Sequence, residues 1–170
     1  MGKTASAIEF AEYPALLGLP VLFFSLEMSA KELTGRIMSI HSGYSAQRIN
    51  NSIIEGEHDI EEIKFKTNKL KDIPLHIDDT PYLTMHKLRI KALKMKREKD
   101  IKLIVIDYLQ LMEGEGTESN REQILSKISR GLKGLAKELD LPVIALAQLN
   151  RDVAKRGGDQ KPKASDIREC

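Results

Sequence analysis

The sequence has 170 residues, enough for one compact domain with a real hydrophobic core and too few for two comfortable ones. Lysine and arginine number 27 against 25 aspartates and glutamates, so net charge does not advertise a nucleic-acid partner and any such contact must come from local arrangement. The one cysteine, Cys170, excludes an internal disulfide framework and cannot alone make a metal site, while no apolar run approaches the roughly 20 residues of a membrane span.

With no signal-peptide pattern at the N-terminus either, the expectation is a soluble, intracellular protein without a membrane partner. Taken in chain order, Gly2-Lys3-Thr4 runs straight into a helical pattern, Ala7, Ile8 and Ala11, in which Pro14 should kink or shorten the helix. Val21–Ser25 is a β-rich apolar run. Ser29 with Glu32 forms a capping box ahead of Leu33, Ile37 and Ile40 on one helix face. Ile60, Ile63, Thr67 and Leu70 also repeat at helical spacing. A second short strand is expected at Leu75–Asp78, then a helix with Met85, Leu88, Ala92 and Met95 on one side. The basic run from Lys87 to Lys102 falls on that helix and reads best as its solvated outer face.

Leu103–Asp107 is a third apolar run, followed by the acidic, Gly-containing stretch 113–120. A second capping box, Ser119 to Glu122, opens the longest helix, with Ile124, Ile128, Leu132, Leu135 and Leu139 predicted to dock on the sheet. Residues 143–146 make a fourth strand, followed by a basic loop over 151–163. VLFFS and LIVID are nearly continuous in apolar residues, as strands covered on both faces are. Alternating strands and helices predict a doubly covered α/β fold with a mostly parallel sheet, residues 1–170 forming one unit.

Four positions carry possible chemistry. Gly-Lys-Thr opening a helix is the last part of a phosphate-binding loop: the helix N-terminus offers free N–H groups, Lys3 reaches the β- and γ-phosphates and Thr4 holds Mg²⁺. It is equally an ordinary helix start, since the motif's earlier glycine and leading strand are not in the sequence. Asp107 ends LIVID and either orients a Mg²⁺-bound water or merely starts a turn. Glu27 follows VLFFSL and either polarises an attacking water or is a surface residue just ahead of a helix cap. Gln148 follows VIALA and either senses a γ-phosphate or is a satisfied polar group. Three strands delivering one such group each to the edge where a phosphate helix begins is a coincidence that favours a phosphoryl-transfer site.

At this point the strings SLEM (25–28), IDYLQLM (106–112), LKGLAKEL (132–139), VIALAQLNR (143–151) and SDIRE (165–169) closely resemble the DnaB family of replicative helicases, in order and approximate spacing. The resemblance runs over essentially the whole chain. It implies a RecA-like P-loop NTPase fold, an ATP-driven motor using Mg²⁺, single-stranded DNA as track, a homo-hexamer, and a primase and a helicase loader as partners. By the same resemblance Gly2, Lys3 and Thr4 belong to the phosphate loop, with Thr4 and Asp107 as metal ligands. Glu27 matches the general base and Gln148 the γ-phosphate sensor. Arg36 matches an arginine near the nucleotide, though by itself it reads equally as a solvated helix residue. Arg168 and Glu169 match a loop along the DNA backbone, and the cations crowding residues 151–168 suit phosphate contact that ignores base identity.

The family's phosphate loop and its leading strand begin before Met1, and its members continue past Cys170 with further strands and a trans-acting arginine. The expectation is therefore an incomplete sheet with an exposed edge and weak or no ATPase from these 170 residues alone. The cell compartment implied is the cytoplasm, at the nucleoid, or a plastid if the host is an alga. Two other readings stand beside the helicase: a RecA-like ATPase of the recombination type, and a non-catalytic module that binds DNA or a partner.

Overall fold

The computed structural model describes residues 2–51, 56–114 and 120–148. Ten labelled elements follow in order: α1 (Lys3–Leu16), β1 (Val21–Ser25), α2 (Ala30–Ser42), α3 (Ala46–Asn50), α4 (Glu57–Thr67), β2 (Leu75–Asp78), α5 (Met85–Lys99), β3 (Leu103–Asp107), α6 (Arg121–Leu139) and β4 (Val143–Ala145). The strands form a single sheet in the order β2-β1-β3-β4, every pairing parallel. Parallel neighbours need crossovers, which the intervening helices supply. The register sets Val21 against Leu103 and Ser25 against Asp107, so β1 and β3 end level with one another.

Because side chains alternate along a strand, the two central strands feed two separate cores. Leu22, Phe24, Ile104 and Ile106 face Leu88 and Ala92 of α5 and Ile128, Leu132, Leu135 and Leu139 of α6. Val21, Phe23, Leu103 and Val105 face Ala7, Ile8, Ala11 and Ala15 of α1 and Leu33 and Ile37 of α2. Every residue of β1 and β3 is buried, as their unbroken apolar character predicts, while the edge strands β2 and β4 are half-buried throughout. Each large apolar side chain so enclosed contributes about 1.5–3 kcal/mol relative to exposure.

The helix ends follow local chemistry. Ser29 caps α2 as a full capping box, its hydroxyl accepting from Glu32 N–H and the Glu32 carboxylate accepting from Ser29 N–H at 2.9 Å. Ser29→Ala is expected to destabilise the fold by about 1 kcal/mol, a fall of about 2–4 °C in thermal midpoint readable by circular dichroism. Pro14 neither breaks α1 nor ends it: the helix runs on to Leu16 and stops where Gly18 turns left-handed at φ +80°, with Gly18 N–H bonding Ala15 O at 2.9 Å and Leu19 N–H bonding Pro14 O at 3.1 Å. Glu12, buried on α1, hydrogen-bonds His41 near the end of α2 and ties the two helices together.

Several details depart from expectation. Ile40 does not join Leu33 and Ile37 in the core but is 59% exposed, while Gly35, on another face of α2, is buried. A β-carbon at Gly35 would lie 1.9 Å from Asn50 Oδ1, so the missing side chain is what lets α3 approach. On α6 the N-cap is Asn120, whose side chain accepts from Glu122 N–H, and Ser119 lies outside the described residues. The buried stripe begins at Leu125 rather than Ile124, which is only partly buried. A 3-4-3-4 spacing from Leu125 to Leu139 keeps that stripe on one face. Strand β4 ends at Ala145 instead of 146, yet Leu146 N–H still bonds Ile106 O at 2.9 Å. The cations of α5 are not simply solvated: Arg89 pairs with Glu138 of α6 at 2.5 Å and Lys91 with Asp78 of β2 at 2.6 Å.

Candidate functional site

Parallel strands end on one side, and there the C-termini of β1, β3 and β4 meet the start of α1. Gly2 precedes that helix with φ +150°, a conformation open to glycine, and its carbonyl accepts from Ser6 N–H at 3.0 Å. The N–H groups of the first turn have no partner inside the helix and carry its positive dipole end. Lys3 and Thr4 occupy that turn, both half-buried.

Asp107 is 2% exposed, sealed by its position on the central strand. Its carboxylate accepts a hydrogen bond from the Thr4 side chain, yet its Oδ1 is the one buried side-chain polar atom among the described residues with no protein partner. Burial pushes the Asp107 carboxyl above its ordinary range; the Thr4 bond opposes this, the negative charge of Glu27 reinforces it, and Lys3 and Arg36 oppose it. The charges that act on Asp107 are thus those of three other residues singled out from sequence. A buried carboxylate with an unpaired oxygen beside a hydroxyl is a donor set suited to a hard divalent cation.

Glu27 sits in the bend after β1, exposed, where Leu26 N–H bonds Asp107 O at 2.9 Å and so ties the end of β1 to that of β3. Arg36 is exposed on α2. The first N–H of that helix, at Ala30, is held by Asp79 Oδ2 at 2.7 Å, which fastens α2 to the end of β2. Beyond β4, Gln148 Oε1 accepts from Lys3 Nζ at 3.1 Å across 145 positions of sequence. Lys3, Thr4, Glu27, Asp107 and Gln148 therefore share one edge of the sheet, with Arg36 close enough for its charge to act there. Arg168 and Glu169 lie outside the described residues.

Three further residues belong to this edge and escape sequence reasoning. The Tyr108 ring lies 3.9 Å from Lys3 Nζ, a cation–π contact. The Gln110 side chain donates to Gln148 O at 2.9 Å and accepts from Gln148 N–H at 3.1 Å. Arg121 donates to the carbonyls of Gln110 and, at 3.0 Å, Met112. All three fall within or next to IDYLQLM and a helix start, so composition marks the segment but not the contacts. A second group with metal-ligand geometry, His58, Asp59 and Glu62, lies on α4. Its carboxylates already accept from Tyr44 at 3.0 and 2.7 Å, and Lys66 pairs with Glu62 at 2.6 Å.

Comparisons with known proteins concern the whole chain. The family model described as "DnaB-like helicase C terminal domain" matches residues 1–170. The chain is 42% identical over 171 residues to the replicative DNA helicase DnaB of Geobacillus stearothermophilus, with 99% of this chain and 37% of that protein aligned. It is 39% identical over 170 residues, at the same two coverages, to that of Leifsonia xyli. The chain thus spans little more than a third of the length of these relatives. Among solved structures it is similar to a DnaB-like replicative helicase, solved with attention to its interactions with primase, with TM-score 0.87 and 33% identity over 99% of this chain and 41% of that one. A second solved structure, of an ATPase domain, also gives TM-score 0.87 and 33% identity, over 99% of this chain and 60% of that one.

Proposed function

The chain belongs to the DnaB-like helicase C-terminal domain family, and from that membership we propose that it is the ATP-hydrolysing motor of a replicative DNA helicase that travels on single-stranded DNA. The observation that carries this reading is the meeting of Lys3, Thr4, Asp107 and Gln148 where three parallel strands end at a helix N-terminus. An anion-binding turn, a cation, a carboxylate and an amide in one place are the parts that phosphoryl transfer needs and little else does.

In this reading the triphosphate lies against the first turn of α1, whose N–H groups bond its oxygens. Lys3 leaves Gln148 for the β- and γ-phosphates and offsets charge that grows as the bond to the leaving oxygen lengthens. Thr4 and Asp107 hold Mg²⁺, which when bound neutralises phosphate charge. Glu27, exposed at the bend after β1, orients a water and takes its proton as the water oxygen bonds the γ-phosphorus; the bond to the β-phosphate oxygen breaks and ADP leaves. Gln148 then registers the loss of the γ-phosphate. Arg36 faces the nucleotide from α2, and Arg168 and Glu169 track the DNA backbone through phosphate contacts.

The working assembly in this proposal is a homo-hexamer, with primase and a loader as protein partners; the primase partner is supported by the subject of one similar structure. No helix among the described residues is long and apolar enough to cross a membrane, and a cytoplasmic place at the nucleoid fits a replication motor. Strand displacement on a forked duplex tests the proposal. The intact protein should displace the strand with ATP and not with a non-hydrolysable analogue. Hydrolysis stimulated by single strands without any displacement would favour a recombination-type ATPase instead.

A further inference from the structure

Where the β4 ladder stops, something else must hold the chain that leads to Gln148. Backbone bonds supply the first step: Leu146 N–H reaches Ile106 O and Leu109 N–H reaches Leu146 O, both at 2.9 Å. Two residues further on, a side chain takes over. Gln110 offers its amide N–H to Gln148 O at 2.9 Å and its amide oxygen to Gln148 N–H at 3.1 Å. A carboxamide has the same donor and acceptor as a peptide group, so this pair copies the bonds a neighbouring strand would make. Both residues are half-buried, so the pair is partly screened from competing water.

Gln110 is itself held. It sits in the single helical turn Leu109–Leu111, and the Arg121 guanidinium, at the first position of α6, donates to the Gln110 and Met112 carbonyls on either side of Leu111. The capped start of a 19-residue helix thus anchors the turn, the turn aims Gln110, and Gln110 holds the backbone from which the Gln148 side chain reaches Lys3 at 3.1 Å.

We propose that Gln110 is a positioning residue for the phosphate sensor: by clipping the Gln148 backbone it sets the place of the Gln148 amide, and through it the resting place of Lys3. The inference rests on the nucleotide-site reading above. Gln110 touches neither nucleotide nor metal in this scheme and acts only through Gln148.

A double-mutant cycle on the intact protein tests it. Gln110→Ala should lower the kcat of DNA-stimulated ATP hydrolysis about tenfold while KM for ATP moves less than about twofold, the split expected when the reacting geometry and not ground-state binding is lost. In a Gln148→Ala background, where no side chain remains to be positioned, Gln110→Ala should cost less than about a further twofold. Losses that multiply would mean a merely structural tie and would overturn the proposal, as would an unchanged kcat in Gln110→Ala. Gln110→Glu guards against misfolding: it preserves size and the bond from Gln148 N–H but sets an oxygen against Gln148 O, and should reproduce the kcat loss while the protein stays folded, its thermal midpoint lower by only about 2–4 °C. Full activity in that variant also counts against the clip. Lys3→Ala separates the two levels of inference: if it still hydrolyses ATP the site reading fails, whereas a dead Lys3→Ala beside a wild-type Gln110→Ala removes only the role of Gln110.

Discussion

Lys3→Ala is expected to lower DNA-stimulated ATP hydrolysis by at least about a hundredfold, roughly 2.7 kcal/mol of transition-state stabilisation, while leaving the protein folded. The two effects separate because Lys3 supports little of the structure. In the resting state it makes one hydrogen bond to Gln148 and lies over the Tyr108 ring, contacts worth about 0.5–1.5 kcal/mol each at a half-buried site. The hydrophobic face of α1 that docks the helix, Ala7, Ile8, Ala11 and Ala15, is untouched. What disappears is the only cation of the α1 N-terminal turn, at the point where phosphate charge would be greatest. Lys3→Arg should rescue poorly, since a planar guanidinium cannot occupy the space of a compact ammonium between an amide and a ring. Hydrolysis rates and a thermal melt on the same preparations check both halves. A folded Lys3→Ala protein that hydrolyses ATP within about tenfold of the parent would remove the motor reading, since that turn holds no second cation to take over the charge.

How far the sequence alone reaches depends on the range of the interaction concerned. Strands β1, β2 and β3 match their expected bounds to the residue, because the enclosed β1 and β3 announce themselves by composition and the edge strand β2 by the turn signals around it. The Ser29 cap is equally legible, its partner lying three residues away. Errors begin where tertiary packing chooses between neighbours. Ile40 has the right spacing to be buried, but it falls in the last turn of α2 and is 59% exposed, and spacing alone does not say how far along a helix its packed face extends. Leu125, three residues before Ile128, is buried, whereas Ile124, four before it, packs against the same core only in part, and spacing does not choose between the two. In the site, residues ending strands are legible because a polar group after a buried run is conspicuous. Tyr108, Gln110 and Arg121 are not, since their partners lie 105, 38 and 11 or 9 positions away. Family resemblance supplies roles for Lys3, Glu27 and Gln148, whereas the orphan oxygen of Asp107 emerges only from geometry.

Asp107→Asn should do two opposite things, and the opposition is what makes it informative. An acid whose pKa is raised in the folded state holds its proton more tightly there than when unfolded. Its favourable contribution is therefore fully present below the unfolded pKa and lost as pH rises through the folded one. Burial, the first cause, and the nearby Glu27 raise the Asp107 carboxyl in this way despite Thr4, Lys3 and Arg36. At neutral pH, without metal or nucleotide, the ionised carboxylate is thus a liability, with Oδ1 buried and unpaired. The neutral amide relieves it, and Asp107→Asn should melt higher than the parent in a chelating buffer, by roughly 1–2 kcal/mol. The advantage should shrink as pH falls through the window between the two pKa values. Adding Mg²⁺ and a non-hydrolysable ATP analogue at about 100 times the dissociation constant should stabilise the parent by roughly 2.7 kcal/mol and the variant far less, so that the order of the melting points reverses. Hydrolysis in the variant should fall at least about a hundredfold. Were the variant less stable than the parent in chelator, the carboxylate would have a structural partner and the case for a divalent ion between Thr4 and Asp107 would lose its footing.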